Sequence, residues 1–379
     1  MRMIASPINI KEVSSHRELK QFIYLPQSIY KGYNNWVPPV YDDEWKLHNK
    51  KHNKSLAACD VVKAIAYKND TPVGRVMGII HHEYNGRHNE KTARFFQFDC
   101  IDDNNTASAL LNFVEQWARA KGMTLIIGPF GFSDKDPQGA QIEGFEHLPV
   151  LVTPTNPPYL PKLIEAEGYI KNEDCVSYKL PVPERLPEQY EYIYRRLSAN
   201  KKFELVEFTS KKQMKPYIVP VLRLVNETYA PLFGFVPMSE PEMKKLAAQY
   251  MFVLDPGCIK IIQTTEKEIV AFIVAMPDMS RGLQKAKGKI LPFGFLYMLN
   301  DARRNTQLNL MLGAIKQRYR GIGLNVLLAK ALITTAAKRG FTLIDSHLIL
   351  ENNTRMCAEL SNLGGVIYKR YRIYKKELV

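Results

Sequence analysis

The sequence predicts an α/β protein: two tandem copies of one mixed-sheet α+β domain, with strands and helices interleaved in each copy. Three observations predict it. A proline-bearing stretch near the middle divides the 379 residues into two nearly equal parts. Both parts repeat the same order of strand and helix patterns. Two pairs of landmarks also share one offset: Val61 and Cys258 open equivalent hairpins 197 residues apart, and Asn156 and Asn353 lead equivalent late helices 197 residues apart. One offset recurring at two distant points argues for duplication.

The first part opens with a short strand, NIKEV, and an amphipathic helix, SHRELKQFIYLPQSIY. A hairpin follows, with VVKAIAY and TPVGRVMGII flanking Lys68, Asn69 and Asp70. ARFFQFDCI leads as a strand into the helix NTASALLNFVEQWARAKG, and MTLIIGPF is the next strand. The second part repeats this with KFELVEF, the helix SKKQMKPYIVPVLRLVNETY, and a hairpin of CIKIIQTT and EIVAFIVAM around Glu266 and Lys267. The strand QLNLMLGAI, the helix GIGLNVLLAKALITTAAKRG and the strand FTLIDSHLILE come next. Each part closes with an Asn-led helix ending in Gly, then one or two strands. Between the parts lies LPVPERLPEQYEY, where Pro181, Pro183 and Pro187 each restrict themselves and the preceding residue. The expected boundaries are 1–180, a linker at 181–192, and 193–379.

Apolar residues make up 46% of the chain and charged residues 24%, which excludes a disordered, collagenous or coiled-coil protein. There are 52 Lys and Arg against 38 Asp and Glu, a net charge of +14 that favours anionic partners. No apolar run approaches the ~18 residues that span a bilayer. MRMIASPINIKEV lacks the apolar core of a signal peptide. Cys59, Cys100, Cys175, Cys258 and Cys357 are odd in number, with no CxxC pair, and read as reduced thiols of a cytoplasmic protein.

The most informative stretch is QLNLMLGAIKQRYRGIGLNVLLAK, residues 307–330. A strand ends near Lys316. A basic turn follows: Gln317, Arg318, Tyr319, Arg320, Gly321, Ile322, Gly323. The helix beyond carries Leu324, Leu327, Leu328, Ala331 and Leu332 on one face. Gly321 and Gly323 lack a Cβ, so backbone N–H groups can come within reach of a bulky anion. The helix N-terminus adds about half a positive charge and unpaired donors. Arg318 and Arg320 add full charges. Together these features make a pyrophosphate cradle.

Arg318-x-x-Gly321-x-Gly323 resembles the R/Q-x-x-G-x-G/A signature of the GNAT acyltransferases, between that family's fourth strand and third helix. Asn353, eleven residues before Gly364, resembles the family's Asn-led helix ending in a Gly-aromatic pair. The resemblance implies two tandem GNAT-like domains, with acetyl-CoA or a longer acyl-CoA as co-substrate, an amine acceptor and no metal. It carries the pantetheine-pyrophosphate onto Gln317, Arg318, Tyr319, Arg320, Gly321, Ile322, Gly323 and Leu324, with Asn353 close by. Two positions depart from the pattern. Gly365 replaces the aromatic residue, and Leu360 stands where the family often has a Tyr that protonates the leaving thiolate. The first copy lacks the cradle: Asp102 and Asp103 in its equivalent turn would repel a pyrophosphate, and Asp103 or Asn105 reads better as a helix cap. That copy is therefore degenerate. Its segment 126–160, rich in Gly, Pro and aromatics, reads either as a functional loop or as a stiff connection.

Acyl transfer to an amine requires loss of the ammonium proton, stabilisation of the thioester oxygen and departure of the thiolate. The resemblance puts the oxyanion on a backbone N–H around Leu312–Ala314, where Gly313 allows close approach. Alternation along FTLIDSHLILE puts Asp345, His347, Ile349 and Glu351 on one face. His347, with an ordinary pKa near 6.5, and Glu351 are the base candidates; a hydrogen-bonded core role fits His347 equally. Tyr368 and Tyr371 are candidates for the leaving-group proton.

Other patterns carry less. His48 and His52, and His81, His82 and His88, lack completing ligands and read as solvated faces. YKRYRIYKK reads as a strand with one wet face or a phosphate contact. Arg281, Lys285, Lys287 and Lys289 precede an apolar stretch, Ile290 to Leu299. That is the composition of an interfacial element on an anionic membrane; a hairpin edge before a core helix gives the same pattern.

The leading function is an acyl-CoA-dependent N-acyltransferase. The layout, degenerate copy first, resembles the tandem GNAT proteins of sphingolipid-making bacteria. One branch of these, the bacterial ceramide synthases, N-acylates a sphingoid base. That resemblance implies a lipid amine, with the protein in the cytoplasm or at the inner face of the membrane. A FemABX-like aminoacyl-tRNA-dependent transferase is the first alternative. It needs no pyrophosphate cradle and usually carries a coiled-coil insertion, and neither expectation fits. A non-catalytic acyl-CoA or nucleic-acid binding module is the second.

Overall fold

The computed structural model describes residues 7–199, 201–251 and 253–378. The signal-peptide expectation falls partly on residues 1–6, which lie outside these.

In chain order the first elements are β1 (Ile8–Glu12), α1 (His16–Tyr24), α2 (Pro26–Ile29), α3 (Tyr41–Leu47), β2 (Cys59–Lys68), β3 (Thr71–His81) and α4 (His82–His88). β4 (Thr92–Cys100), α5 (Asn104–Ala120), β5 (Leu125–Gly128), β6 (Ala140–Glu143), α6 (Tyr159–Ala166) and β7 (Ile170–Pro181) follow. Then come α7 (Glu188–Ser198), β8 (Phe203–Glu207), α8 (Lys211–Tyr229), α9 (Glu240–Tyr250), β9 (Ile259–Thr264) and β10 (Ile269–Pro277). The last are α10 (Ser280–Lys285), α11 (Gly294–Arg304), β11 (Gln307–Ile315), α12 (Leu324–Lys338), β12 (Leu343–Asp345), β13 (Ile349–Leu350), α13 (Thr354–Asn362) and β14 (Val366–Glu377). α7 begins within the stretch read as a linker.

Packing divides the chain into two compact units. The first holds the chain up to Val176, Met279–Asp301 and Lys369 onward; the second holds Ser177–Asp278 and Ala302–Tyr368. Packing therefore does not follow chain order. The basic-apolar segment and most of the last strand belong with the first unit.

In the first unit the strands run β1-β2-β3-β4-β5-β14, antiparallel except for the parallel β4–β5 pair, with β6 antiparallel to β14. The β2–β3 turn is Asn69 and Asp70, both at positive φ, as a two-residue hairpin turn requires. Asp103 caps α5, its carboxylate accepting from the Thr106 N–H at 3.2 Å. Ala107, Leu110, Leu111, Val114 and Ala118 recur at helical spacing and are fully buried. Each buried leucine contributes about 1.5–3 kcal/mol.

In the second unit the order is β12-β11-β10-β9-β8, and Lys179–Pro181 of β7 pair with β12. Only β11–β12 is parallel among these pairs. Ile262, Val270 and Ala271 pack with Leu324, Leu327 and Leu328 of α12 and Leu197 of α7. Their neighbours Ile261 and Phe272 pack with α8 and α9. The period of two puts these helix pairs on opposite faces of the sheet.

Both copies bulge on the same strand. Between β3 and β4 the register steps from Arg75↔Asp99 to Met77↔Phe96, with Gln97 at φ 45°. Between β10 and β11 it steps from Val274↔Leu312 to Ala275↔Leu310, which leaves Met311 unpaired in the ladder.

Several expectations are corrected. FTLIDSHLILE is not one strand: β12 stops at Asp345, and His347 takes a left-handed φ of 54°, which breaks the alternation. Glu351 lies in the turn before α13 rather than on a strand. Asn156 precedes α6 but does not cap it: the helix begins at Tyr159 with Pro158 at its N-cap. Asn156 is buried in a loop, accepting from the Gln141 N–H at 2.7 Å and donating to the Gln141 carbonyl at 3.1 Å. Segment 126–160 is not wholly irregular, since it contains β6. His48 and His81 are not solvated. Both ring nitrogens of His48 are buried, and burial lowers it to about 3. His81 is 2% exposed, and its Nδ1 accepts from the Tyr84 N–H. The C-terminal cations are largely paired: Arg372 with Asp174 at 2.9 Å and Lys376 with Glu115 at 2.8 Å. The five cysteines are free thiols.

A half-buried carboxyl bonds the first-unit bulge. Gln97 Nε2 donates to Glu44 Oε2 at 2.6 Å. Burial outweighs the Arg75 guanidinium and, with Asp99, Asp136 and Asp43 nearby, pushes Glu44 up to about 7. The folded chain therefore keeps this proton where the unfolded carboxyl, near 4.5, has lost it, so stability falls as pH rises from 4.5 to 7. His48, lowered by burial, acts in the opposite sense between about 3 and 6.5. Glu44→Gln removes only the first effect. Its melting temperature should gain on the wild type as pH rises from about 5 to about 7.5; parallel curves would refute the assignment.

Candidate active site

The glycine turn is built by local rules. β11 ends at Ile315, and one turn of 3-10 helix covers Gln317–Tyr319. Gly321 and Gly323 then take φ of 81° and 104°, in the left-handed region that favours glycine. Gly323 is the N-cap of α12, with no side chain to satisfy the helix. Leu324 is fully buried, which anchors the helix start in the core.

This turn faces an open cleft of ≈ 310 Å³, lined by Gly321, Ile322, Gly323 and Asn325, by Tyr190, Ile193 and Arg196 of α7, and by Glu359 and Asn362 of α13. A Cβ on Gly321 would meet nothing within 4 Å. One on Gly323 would meet Ile193 Cγ2 at 2.6 Å, so that glycine lets the turn lie against α7. Glu359 accepts from Asn325 Nδ2 at 2.9 Å. Burial, together with Glu359, raises the Tyr190 hydroxyl above its ordinary pKa.

The predicted cations are placed unequally. Arg318 pairs with Glu268, and Lys316 bonds Glu268 at 2.9 Å and Glu227 at 3.3 Å. Arg320 Nε donates to the Ile315 carbonyl at 3.1 Å. The Arg318 pair is exposed, so solvent screens it and an anion can compete for the guanidinium. Gln317 is exposed and Tyr319 half-buried. Asn353 caps α13, accepting from the Met356 N–H at 3.4 Å; among the described residues the cleft takes Glu359 and Asn362 from that helix instead. A larger cleft of ≈ 400 Å³ runs along Pro216, Tyr217, Arg223, Lys267 and Lys316 and takes neither glycine of the turn into its lining.

The strands next to the turn separate. β11 and β12 pair only through Gln307↔Leu343 to Asn309↔Asp345, and β11 then runs on to Ile315. Gly313 lies on that free run. Its carbonyl accepts from the Tyr229 hydroxyl at 3.1 Å, and its N–H approaches the same oxygen at 3.4 Å.

At the end of the paired run lies a buried polar chain that sequence reasoning did not assemble. Asp345 is fully buried. Its carboxylate accepts from the Tyr368 hydroxyl, from Gln307 Nε2 at 3.4 Å and from the His347 N–H at 3.1 Å. Gln307 also donates to Asn309 Oδ1 at 2.8 Å, and Asn309 donates to Asp278 Oδ1 at 3.0 Å. The Lys179 ammonium lies 4.2 Å from the Tyr368 ring centroid. Asp345 and Tyr368 were both visible in the sequence, but nothing in their spacing joined them. Tyr371 is buried in the first unit. No group of three or more His, Cys, Asp or Glu that could hold a metal occurs among the described residues.

Solved structures match this architecture along its whole length. A tandem GNAT protein from the clavulanic acid biosynthesis pathway superposes with a TM-score of 0.54 at 14% identity, covering 98% of this chain and 99% of the other. The chain has the tandem GNAT fold. A GCN5-related N-acetyltransferase from Sphaerobacter thermophilus superposes with a TM-score of 0.53 at 10% identity, covering 98% and 96%. No protein-family model matches this tandem GNAT chain. By sequence it is 27% identical over 376 residues to protein YghO of Escherichia coli (strain K12), covering 97% of this chain and 95% of that one. It is 26% identical over 384 residues to the bacterial ceramide synthase of Caulobacter vibrioides (strain NA1000 / CB15N), covering 98% of each.

Proposed function

We propose that this tandem GNAT chain is an acyl-CoA-dependent N-acyltransferase. One observation carries the reading: the Arg318–Gly323 turn is open, left-handed at both glycines and seated in a cleft at an uncapped helix start. Such a turn suits a diphosphate, which needs several N–H donors at once and no side chain in the way. Arg318 and Arg320 supply charge, and Arg196 lines the same cleft. The first unit is not a second such site, because the Asp103 carboxylate already caps α5.

The free run of β11 would hold the thioester, with backbone N–H groups near Met311 and Gly313 meeting the developing oxyanion. The amine loses its proton to His347 or Glu351 and attacks the carbonyl carbon. The C–S bond breaks as the amide forms, and the thiolate takes a proton, for which the Tyr368 hydroxyl on Asp345 is the best-placed donor. The acceptor is a lipid amine of the long-chain sphingoid type. Whole-length similarity to a bacterial ceramide synthase supports this, as do the basic charge and the apolar segment 290–299. The reaction belongs in the cytoplasm or at the inner face of the membrane. Among the described residues no helix is long and apolar enough to cross one.

The test pairs acetyl-CoA or palmitoyl-CoA with sphinganine or a soluble polyamine, following thiol release and the amide mass. Amine-dependent thiol release with the matching N-acyl product is expected, largest for palmitoyl-CoA with sphinganine. Thioester hydrolysis without amide, or no turnover with any pair, would overturn the reading.

A further inference from the structure

Segment 279–301 has two faces. Leu283 and Met298 point inward, at 3% and 2% exposure. A Cβ on Gly282 would meet Met298 Cα and the Tyr297 carbonyl at 2.6 Å, so α10 and α11 cross at backbone contact. The Gly282 N–H donates to Asp301 Oδ2 at 2.7 Å. The segment is also tied to the rest of the first unit. Gln284 Nε2 donates to the Asn34 and Trp36 carbonyls at 2.8 and 2.9 Å, and the Tyr41 N–H donates to the Gly288 carbonyl at 3.0 Å. It is a rigid platform, not a loose strap.

Its outer face is apolar. Leu291 and Phe293 are each 70% exposed, and Leu296 and Tyr297 each 52%. The last three recur at i, i+3 and i+4, one side of a helix. The sequence left a hairpin edge before a core helix open for this stretch; α11 buries Gly294 and Met298 on one side and exposes Leu296 and Tyr297 on the other. Four exposed cations adjoin the face: Arg281, Lys285, Lys287 and Lys289. None makes a salt bridge among the described residues, although the chain forms many elsewhere. A clustered apolar patch of this kind on a charged rim marks an interaction surface.

We propose that this platform docks the protein on an anionic lipid bilayer, with Phe293, Leu296 and Tyr297 entering the headgroup region and Arg281, Lys285, Lys287 and Lys289 meeting lipid phosphates. Charge decides between occupants. A second copy seated by two-fold symmetry would bring like cations together, which is unfavourable. A bilayer with anionic headgroups neutralises them while taking the aromatic and aliphatic side chains. The inference deepens the lipid-amine reading, because a long-chain amine resides in a membrane, but it rests on the first unit's surface and not on the cleft.

The test floats the full chain with vesicles of phosphatidylcholine alone or with one third phosphatidylglycerol. Comparison variants are Phe293→Ser with Leu296→Ser, and Lys285→Glu with Lys287→Glu. The wild type should float with the anionic vesicles and much less with the neutral ones. Each double variant should bind at least about tenfold more weakly. Melting curves with and without acyl-CoA, run on the same samples, report folding and the cleft separately. A variant that still answers acyl-CoA but no longer floats supports the docking face alone. Equal flotation of all three proteins overturns the proposal. So does an absence of flotation, or a wild-type dimer that Leu296→Ser dissociates.

Discussion

Gly321→Trp should abolish the rise in melting temperature that the proposed function expects acetyl-CoA or a long-chain acyl-CoA to give the wild type. At about 100 times its dissociation constant, a ligand that binds only the folded chain adds ~2.7 kcal/mol. For a unit of this size that is roughly 5–10 °C. Gly321 is the right position because it lines the cleft and a Cβ there meets nothing within 4 Å, so a side chain can start there without a clash at its root. Gly323 would be a poor choice, since its Cβ would strike Ile193 and Leu197 and unseat α7. The backbone at Gly321 is left-handed, which costs a side-chain-bearing residue about 1–2 kcal/mol whatever its size. Gly321→Ala carries that same strain with a small methyl group. It should lower the melting temperature about equally and keep most of the ligand response. If both variants still respond fully, the diphosphate does not bind at this turn.

Tyr368→Phe lowers turnover by about 10²–10⁴ and leaves acyl-CoA affinity within a few-fold of wild type. The tyrosine hydroxyl donates to Asp345, which is fully buried at the last paired position before β11 and β12 separate. On the proposed mechanism, removing it takes away the proton donor for the leaving thiolate. It does not touch the glycine turn. Asp345 keeps the His347 N–H and Gln307 as donors, so the fold survives with a loss of about 1–3 kcal/mol for the weakened buried carboxylate. The decisive readout is the separation of kcat from binding, measured by single-turnover kinetics alongside the melting shift. A variant with wild-type turnover would remove Tyr368 from the proton path and return the question to the family position held by Leu360.

Much of the site's backbone was legible in the sequence. The strand, turn and helix of residues 307–338 stand nearly where periodicity and glycine put them, as do both hairpins and the Asp103 cap. The failures are equally specific. His347 was read by strand alternation, but Ser346 bonds the Tyr178 N–H at 2.8 Å, the chain turns there, and His347 takes a left-handed conformation. His48 looked like a wet histidine on a polar stretch, yet it packs edge-on against Phe22 with its nitrogens buried. The C-terminal alternation of aromatics and cations read as a wet face or a phosphate contact, whereas most of its charges are satisfied inside the first unit.

The sequence by itself determined the local structure of this protein: where most helices start, where the hairpins turn, and that a glycine bend leads into a helix between Arg318 and Gly323. Those features depend on φ preferences and hydrophobic periods that act over a few residues. Only the tertiary structure decided which buried polar groups meet. Tyr229 reaches Gly313 from 84 residues away, Asn309 reaches Asp278 from 31, and Tyr368 reaches Asp345 from 23. It also decided that 279–301 packs with the first unit and exposes its apolar face. Strand register and close helix crossings select those partners, and a linear pattern carries no information about which of many equally suitable residues will be brought alongside.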